Sequence, residues 1–100
     1  MKEYTRNVRF EIKPGKGQEF KTTFDKDIMP LMKKQAGFRG ELALVNEHNR
    51  GIGISLWDSR EHAEEYRTNT YPKVLETLKP VLEGTPSVEI YEVAGTTLSN

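Results

Sequence analysis

The chain has no cysteine among its 100 residues. That excludes disulfide staples, a thiolate nucleophile and any sulfur-ligated metal. It has no surplus of either charge, since 15 basic and 15 acidic residues cancel at neutral pH. A nucleic-acid binder needs a basic excess or stripe, and electrostatic attachment to a membrane needs one too, so neither partner is expected. No apolar run nears the length that spans a bilayer. The opening MKEYTRNVRF lacks the apolar stretch of a secretion signal, so the expected location is the cytoplasm. The two histidines, His48 and His62, do not stand at a metal-ligand spacing, and no metal site is expected. Gly15-Lys16-Gly17 lacks the spacing of a phosphate-binding loop.

What is present is organised around GIGISLWDSREHAEEY, residues 51–66. Gly51 to Trp57 reads as a strand. Ile52, Ile54 and Leu56 share one face by the period-2 rule; Gly51, Gly53, Ser55 and the chain's one tryptophan, Trp57, share the other. Two glycines pack nothing, so something else approaches the backbone on that face. Trp57 beside them either lines a hollow with Gly53 and Ser55 or covers a thin patch of sheet as core. A helix starts at once, with Asp58 or Ser59 as its N-cap and Glu61 three residues after Asp58.

The remaining elements fall on either side. Tyr4 to Ile12 alternates Val8, Phe10 and Ile12 with Asn7, Arg9 and Glu11, a strand ended by Pro14-Gly15. Phe20, Phe24, Ile28 and Leu31 make one helical stripe from about Gln18 to the Gln35 region, and Pro30 inside it predicts a kink near Met29. Gly37 closes that piece. Arg39 to Val45 is a strand apolar on both faces, and Asn46 to Arg50 is a turn. Tyr71-Pro72 opens a further helix carrying Val74, Leu75, Leu78, Val81 and Leu82, with Pro80 and Gly84 as stop signals. Val88 to Val93 is the last strand, and residues 94–100 form a small, polar tail expected to fray.

The order β-α-β-β-α-β in one domain predicts an α+β, ferredoxin-like fold: a four-stranded antiparallel sheet with helices on one face. The helices cover one apolar face and nothing remains for the other. A homodimer packed sheet against sheet is therefore expected.

Gly37-Phe38, Ser55-Leu56-Trp57-Asp58-Ser59 with Glu61 and Ala63, and Leu78-Lys79-Pro80-Val81-Leu82 together resemble the antibiotic-biosynthesis monooxygenase family, from Tyr4 to Val93. The resemblance implies a dimeric α+β barrel. It also implies a superfamily holding cofactor-independent monooxygenases of polycyclic phenols, haem-degrading enzymes and small isomerases. The quinone-forming members use the strand Trp with an Asn four residues before it and a Tyr six after it. Trp57 matches, but those two places hold Gly53 and Ala63. The haem-degrading members place a Trp and an axial His where this chain has Tyr66 and Glu76, and the place of their first-strand Asn falls on Val8, with Asn7 on the opposite face. No haem and no other cofactor is expected.

The candidate catalytic residues are then His62, a potential general base one helical step from Trp57, and Tyr66. The bland alternative for His62 is an exposed helix histidine. His48 is read as solvent-exposed. The candidate binding residues are Trp57, Gly53, Ser55, Tyr71 and Asn7. Tyr66 and Tyr71 flank a break between two helical pieces and either line a pocket or cap the core. Asn7 lies on the polar strand face, where it also suits a dimer contact. Three functions follow: a monooxygenase that lets a small aromatic or polycyclic substrate's own anion react with oxygen, a module binding an apolar molecule without reaction, and a purely structural dimer.

Overall fold

Residues 2–98 are described by a computed structural model. The alternating segment at the start forms β1 (Tyr4–Ile12), which becomes an interior strand. β2 (Phe38–Val45) and β3 (Arg50–Trp57) form a hairpin, and β4 (Leu82–Glu92) closes the sheet in the order β2-β3-β1-β4, all antiparallel. The Asn46 side chain builds the hairpin turn: its Oδ1 accepts from the His48 and Arg50 amides at 2.8 and 3.1 Å. Asn49 takes the left-handed conformation there at φ 63°. This is the expected ferredoxin-like α+β fold.

The first helical region is α1 (Gly17–Thr23), a π-helical turn (Phe24–Ile28) and α2 (Met29–Lys33). The expected disturbance at Pro30 takes the form of that π turn, whose last bond runs from the Met29 amide to the Phe24 carbonyl. A proline has no N–H to give and crowds the carbonyl four residues back, so the helix widens ahead of it rather than breaking. α3 (Arg60–Asn69) is capped by Ser59, whose Oγ accepts from the His62 amide at 3.1 Å. α4 (Tyr71–Leu78) follows after Thr70.

The largest difference from the expected boundaries lies between α4 and the last strand; the other strand ends move by at most one residue. The last strand begins at Leu82, not Val88. Val81 and Leu82 continue the helical spacing of α4, but Pro80 ends that helix and Leu82 pairs instead with Ile12 across the sheet. Gly84, at φ 68°, is not a helix stop; it belongs to a bulge that also absorbs Pro86 on this edge strand. Of the tail expected to fray, residues 99 and 100 lie outside the described part. Residues 93–98 carry no regular structure.

Phe10, Ile12 and Trp57 of the sheet join Phe20, Ile28, Met32, Ala63, Tyr66, Val74 and Leu78 in one buried cluster. The opposite sheet face bears Leu42 and Leu44, 58% and 47% exposed, beside the half-buried Ile52, Ile54 and Leu56. Among the described residues no helix is long and apolar enough to cross a membrane.

Candidate active site

Antiparallel register sets three polar side chains in one row on the helix-covered face. Glu41 of β2 and Arg6 of β1 both lie opposite Ser55 of β3, one on each side. Strands stand about 4.8 Å apart, so the two charged residues start roughly 10 Å apart at the backbone and their long side chains lean over a shared space.

Arg6 is 1% exposed. Its guanidinium lies over two neighbouring phenol rings, 4.5 Å from the Tyr71 centroid and 5.3 Å from that of Tyr66. Ring faces attract a cation but do not accept its N–H bonds. Its Nε and Nη1 have no hydrogen-bond partner, and neither does the buried Tyr71 hydroxyl. Burial lowers the Arg6 pKa from its ordinary value. No ion pair joins it to Glu41. Removal from water pushes the Glu41 carboxyl up to about 8, against the opposing pull of Arg6. Burial likewise raises the Tyr66 and Tyr71 phenols above their ordinary value.

These groups face a cavity of about 50 Å³ between sheet and helices, walled on the helix side by Phe20, Phe24, Tyr66 and Tyr71 and floored by Gly53 and Ser55. In this state it has room for a few water molecules, so a larger guest displaces wall side chains. A wider groove of about 560 Å³ runs past Arg9, Glu11, Arg50 and Glu83 at the far end of the sheet. It is open to solvent and holds no buried unpartnered group, so the inner cavity is the better candidate.

The two strand glycines serve different occupants. A Cβ on Gly51 would collide with the Phe10 ring and stand 2.8 Å from the Leu44 carbonyl oxygen. A Cβ on Gly53 would stand 3.3 Å from Oε2 of Glu41. The first glycine admits a core ring; the second admits the carboxyl.

Of the residues singled out from sequence, Gly53, Ser55, Tyr66 and Tyr71 meet at the cavity. Trp57 is 0% exposed and stands behind it. Its Nε1 donates to Ser55 Oγ at 2.8 Å, and its ring lies 4.9 Å from that of Tyr66. His62 is at the surface outside the cavity, with Nδ1 2.6 Å from Asp58 Oδ1. That hydrogen bond raises the His62 pKa and lowers that of Asp58. Asn7 lies on the other sheet face, donating to Thr5 Oγ1 at 2.9 Å and to the Glu89 carbonyl at 3.4 Å. His48 is exposed in the hairpin turn.

Arg6 and Glu41 were not singled out from sequence. The signal was there: Arg6 has the parity of Val8, Phe10 and Ile12, and Glu41 that of Ala43 and Val45. A charge in register with an apolar strand face is the anomaly to follow.

A profile of the antibiotic biosynthesis monooxygenase family matches residues 3–76. Among curated proteins no sequence match is found. A protein of unknown function from Nitrosomonas europaea has the same fold at TM-score 0.84 and 18% identity, covering 100% of this chain and 97% of that one. SnoaB, a cofactor-independent oxygenase from Streptomyces nogalater, superposes at TM-score 0.79 and 17% identity over 99% of this chain and 100% of its own. Rv0793 from Mycobacterium tuberculosis does so at TM-score 0.75 and 15% identity, over 96% and 99%. At such identities the structures speak for the fold, while the profile covers most of the sequence. The chain belongs to the antibiotic biosynthesis monooxygenase family.

Proposed function

We propose that the protein is a monooxygenase acting without a cofactor on a small apolar or aromatic substrate in the cavity beneath α3 and α4. The observation that carries this reading is a carboxyl with a pKa near 8 and an unpartnered guanidinium facing one largely apolar cavity. A base is most useful when its pKa lies near the working pH. Glu41 takes a proton from an acidic C–H or O–H of the substrate. Arg6 holds the resulting anion. The anion supplies the electrons for dioxygen: a CH₂ flanked by aromatic rings becomes C=O, one O₂ is consumed and one water leaves. Tyr66, kept neutral by burial, donates a hydrogen bond rather than accepting the proton. Gly53 and Ser55 form the floor, Tyr71 the roof, and Trp57 holds Tyr66 in place. His62 and Asn7, remote from the cavity, have no part in this chemistry.

The test is oxygen uptake on mixing with a panel of polycyclic phenols, with Trp57 fluorescence read in parallel. Saturable quenching with stoichiometric oxygen loss is expected. Quenching without oxygen loss sinks the enzyme and favours the second reading, a binding module. Gly53 and Ala63 at the places of the family's Asn and Tyr favour that alternative.

We also infer that the protein pairs through the open sheet face, since Leu42, Leu44, Ile52, Ile54 and Leu56 form an apolar band there. Light scattering on a size-exclusion column should give the mass of two chains. Leu44→Lys should give one; a wild-type monomer at micromolar concentration ends the idea.

A further inference from the structure

Arg6 poses a problem that the fold alone does not solve. A buried guanidinium ordinarily finds a carboxylate or carbonyl, because an unpaired buried charge is among the costliest features a core can carry. Here two nitrogens have no partner, and the acid that faces it across the cavity, Glu41, is pushed toward its neutral form. The Tyr71 hydroxyl beside it is also unpartnered.

We propose that Arg6 is the recognition site for a planar oxyanion, so that the cavity selects small aromatic acids, carboxylates or ionised enols, over neutral molecules of the same shape. The guanidinium lies over the neighbouring Tyr66 and Tyr71 rings, and its Nε and Nη1 carry unused N–H groups for an anion to accept from. The Tyr71 hydroxyl adds a donor. This deepens the oxygenase reading, in which the same nitrogens hold the substrate anion, but it concerns binding alone.

The charge balance around Arg6 supports the selection. Glu41 faces it from β2, Tyr66 from α3 and Tyr71 from α4, while α1, the π turn, α2 and β4 give only apolar wall. Glu64 and Arg67, on the outer face of α3, act from outside the cavity and pair with each other at 2.9 Å. Below pH about 8 the lined space therefore carries one uncompensated positive charge. Above it Glu41 ionises, the site becomes neutral, and an incoming anion must bring a proton with it. Anion affinity should fall as pH rises through that value.

Calorimetric titration with benzoate and with benzamide, in the absence of any oxidisable substrate, tests this. Wild-type protein should bind benzoate roughly tenfold to a hundredfold tighter than benzamide near neutral pH. Arg6→Met should erase the preference, and Arg6→Lys should keep part of it. The thermal midpoint gives an independent reading. Removing a charge that serves only a ligand should raise Tm in Arg6→Met, whereas removing a structural pillar lowers it. Equal affinities in the wild type, no benzoate binding, or unchanged benzoate binding in Arg6→Met overturns the assignment. Arg6-dependent benzoate binding with no phenol consuming oxygen leaves this site standing and removes the oxygenase. Oxygen consumption undiminished in Arg6→Met does the reverse.

Discussion

Glu41→Gln should lower the rate of oxygen consumption about 10²- to 10⁴-fold, the range a positioned general base contributes. The amide keeps the shape and loses the ability to take a proton. Binding of a preformed anion such as benzoate should survive, because the wild-type carboxyl is mostly neutral below pH about 8. The wild-type rate should rise with pH and level off near that value. A Glu41→Gln enzyme with wild-type turnover would move the base elsewhere.

The same substitution has a stability signature of fixed sign. The folded-state pKa of Glu41 is raised from 4.5 to about 8, so the native state holds a proton that the unfolded chain has released. Native stability is therefore lost as pH rises from 4.5 toward about 8, and no further loss follows above it. Glu41→Gln does not titrate. Its Tm should match the wild type near pH 4 and exceed it increasingly up to about 8. A constant Tm difference across that window would mean that the carboxyl is not buried in solution.

The largest structural effect is expected at Gly51. One added methyl meets both the Phe10 ring and the Leu44 carbonyl, and neither gives way easily: the ring is locked against Phe20 at 5.0 Å and the carbonyl belongs to the sheet. Gly51→Ala should cost about 3 kcal/mol. That is a large part of a domain's net stability and shifts Tm by well over about 10 °C in a chain of this size. Gly53→Ala adds the same methyl two residues on, where it meets only the movable end of Glu41 at 3.3 Å. There the fold should hold and the carboxyl should shift, giving little change in Tm and a marked fall in oxygen uptake. Paired denaturation and activity curves separate the two. Equal losses of stability at both positions would refute the division of labour between the glycines.

Periodicity read most of this fold because its elements are locally consistent. β1 alternates, the hairpin has its Asx turn, Ser59 caps, and Pro30 disturbs the helix where it stands. The main miss was the junction of α4 and β4, since Val81 and Leu82 satisfy helical spacing and the partner that overrides it, Ile12, is distant in sequence. The site was half legible. The two glycines and Ser55 on one face leave a hollow as one of two readings, and of the glycines only Gly53 lines it. From sequence Tyr66 and Tyr71 flank a helix break, where they either line a pocket or cap the core; in the structure they line the cavity. Parity is enough to put Arg6 and Glu41 in register with apolar faces, a step the sequence reading did not take, but it cannot say that both lie opposite Ser55, because that depends on the register of three strands at once. Trp57 illustrates the converse: it was the most conspicuous residue, and its indole supports the site from behind.

The interior position of β1 has a consequence for how the molecule comes into being. Tyr4 pairs with Trp57 on one side and with Glu92 on the other, so the β1–β3 seam must span the whole first helical region and the β1–β4 seam cannot close until nearly all the chain is available. Only the β2–β3 hairpin is local, and hairpins form within about 1–10 μs. β1 must wait for distant partners, the slow kind of contact. Arg6 therefore stays hydrated while the hairpin assembles and surrenders its water only at the final docking. The desolvation of that one side chain belongs to the docking of β1 and the helices, not to the hairpin. The chemistry of the pocket is thus also a toll on the protein's birth, collected once per molecule.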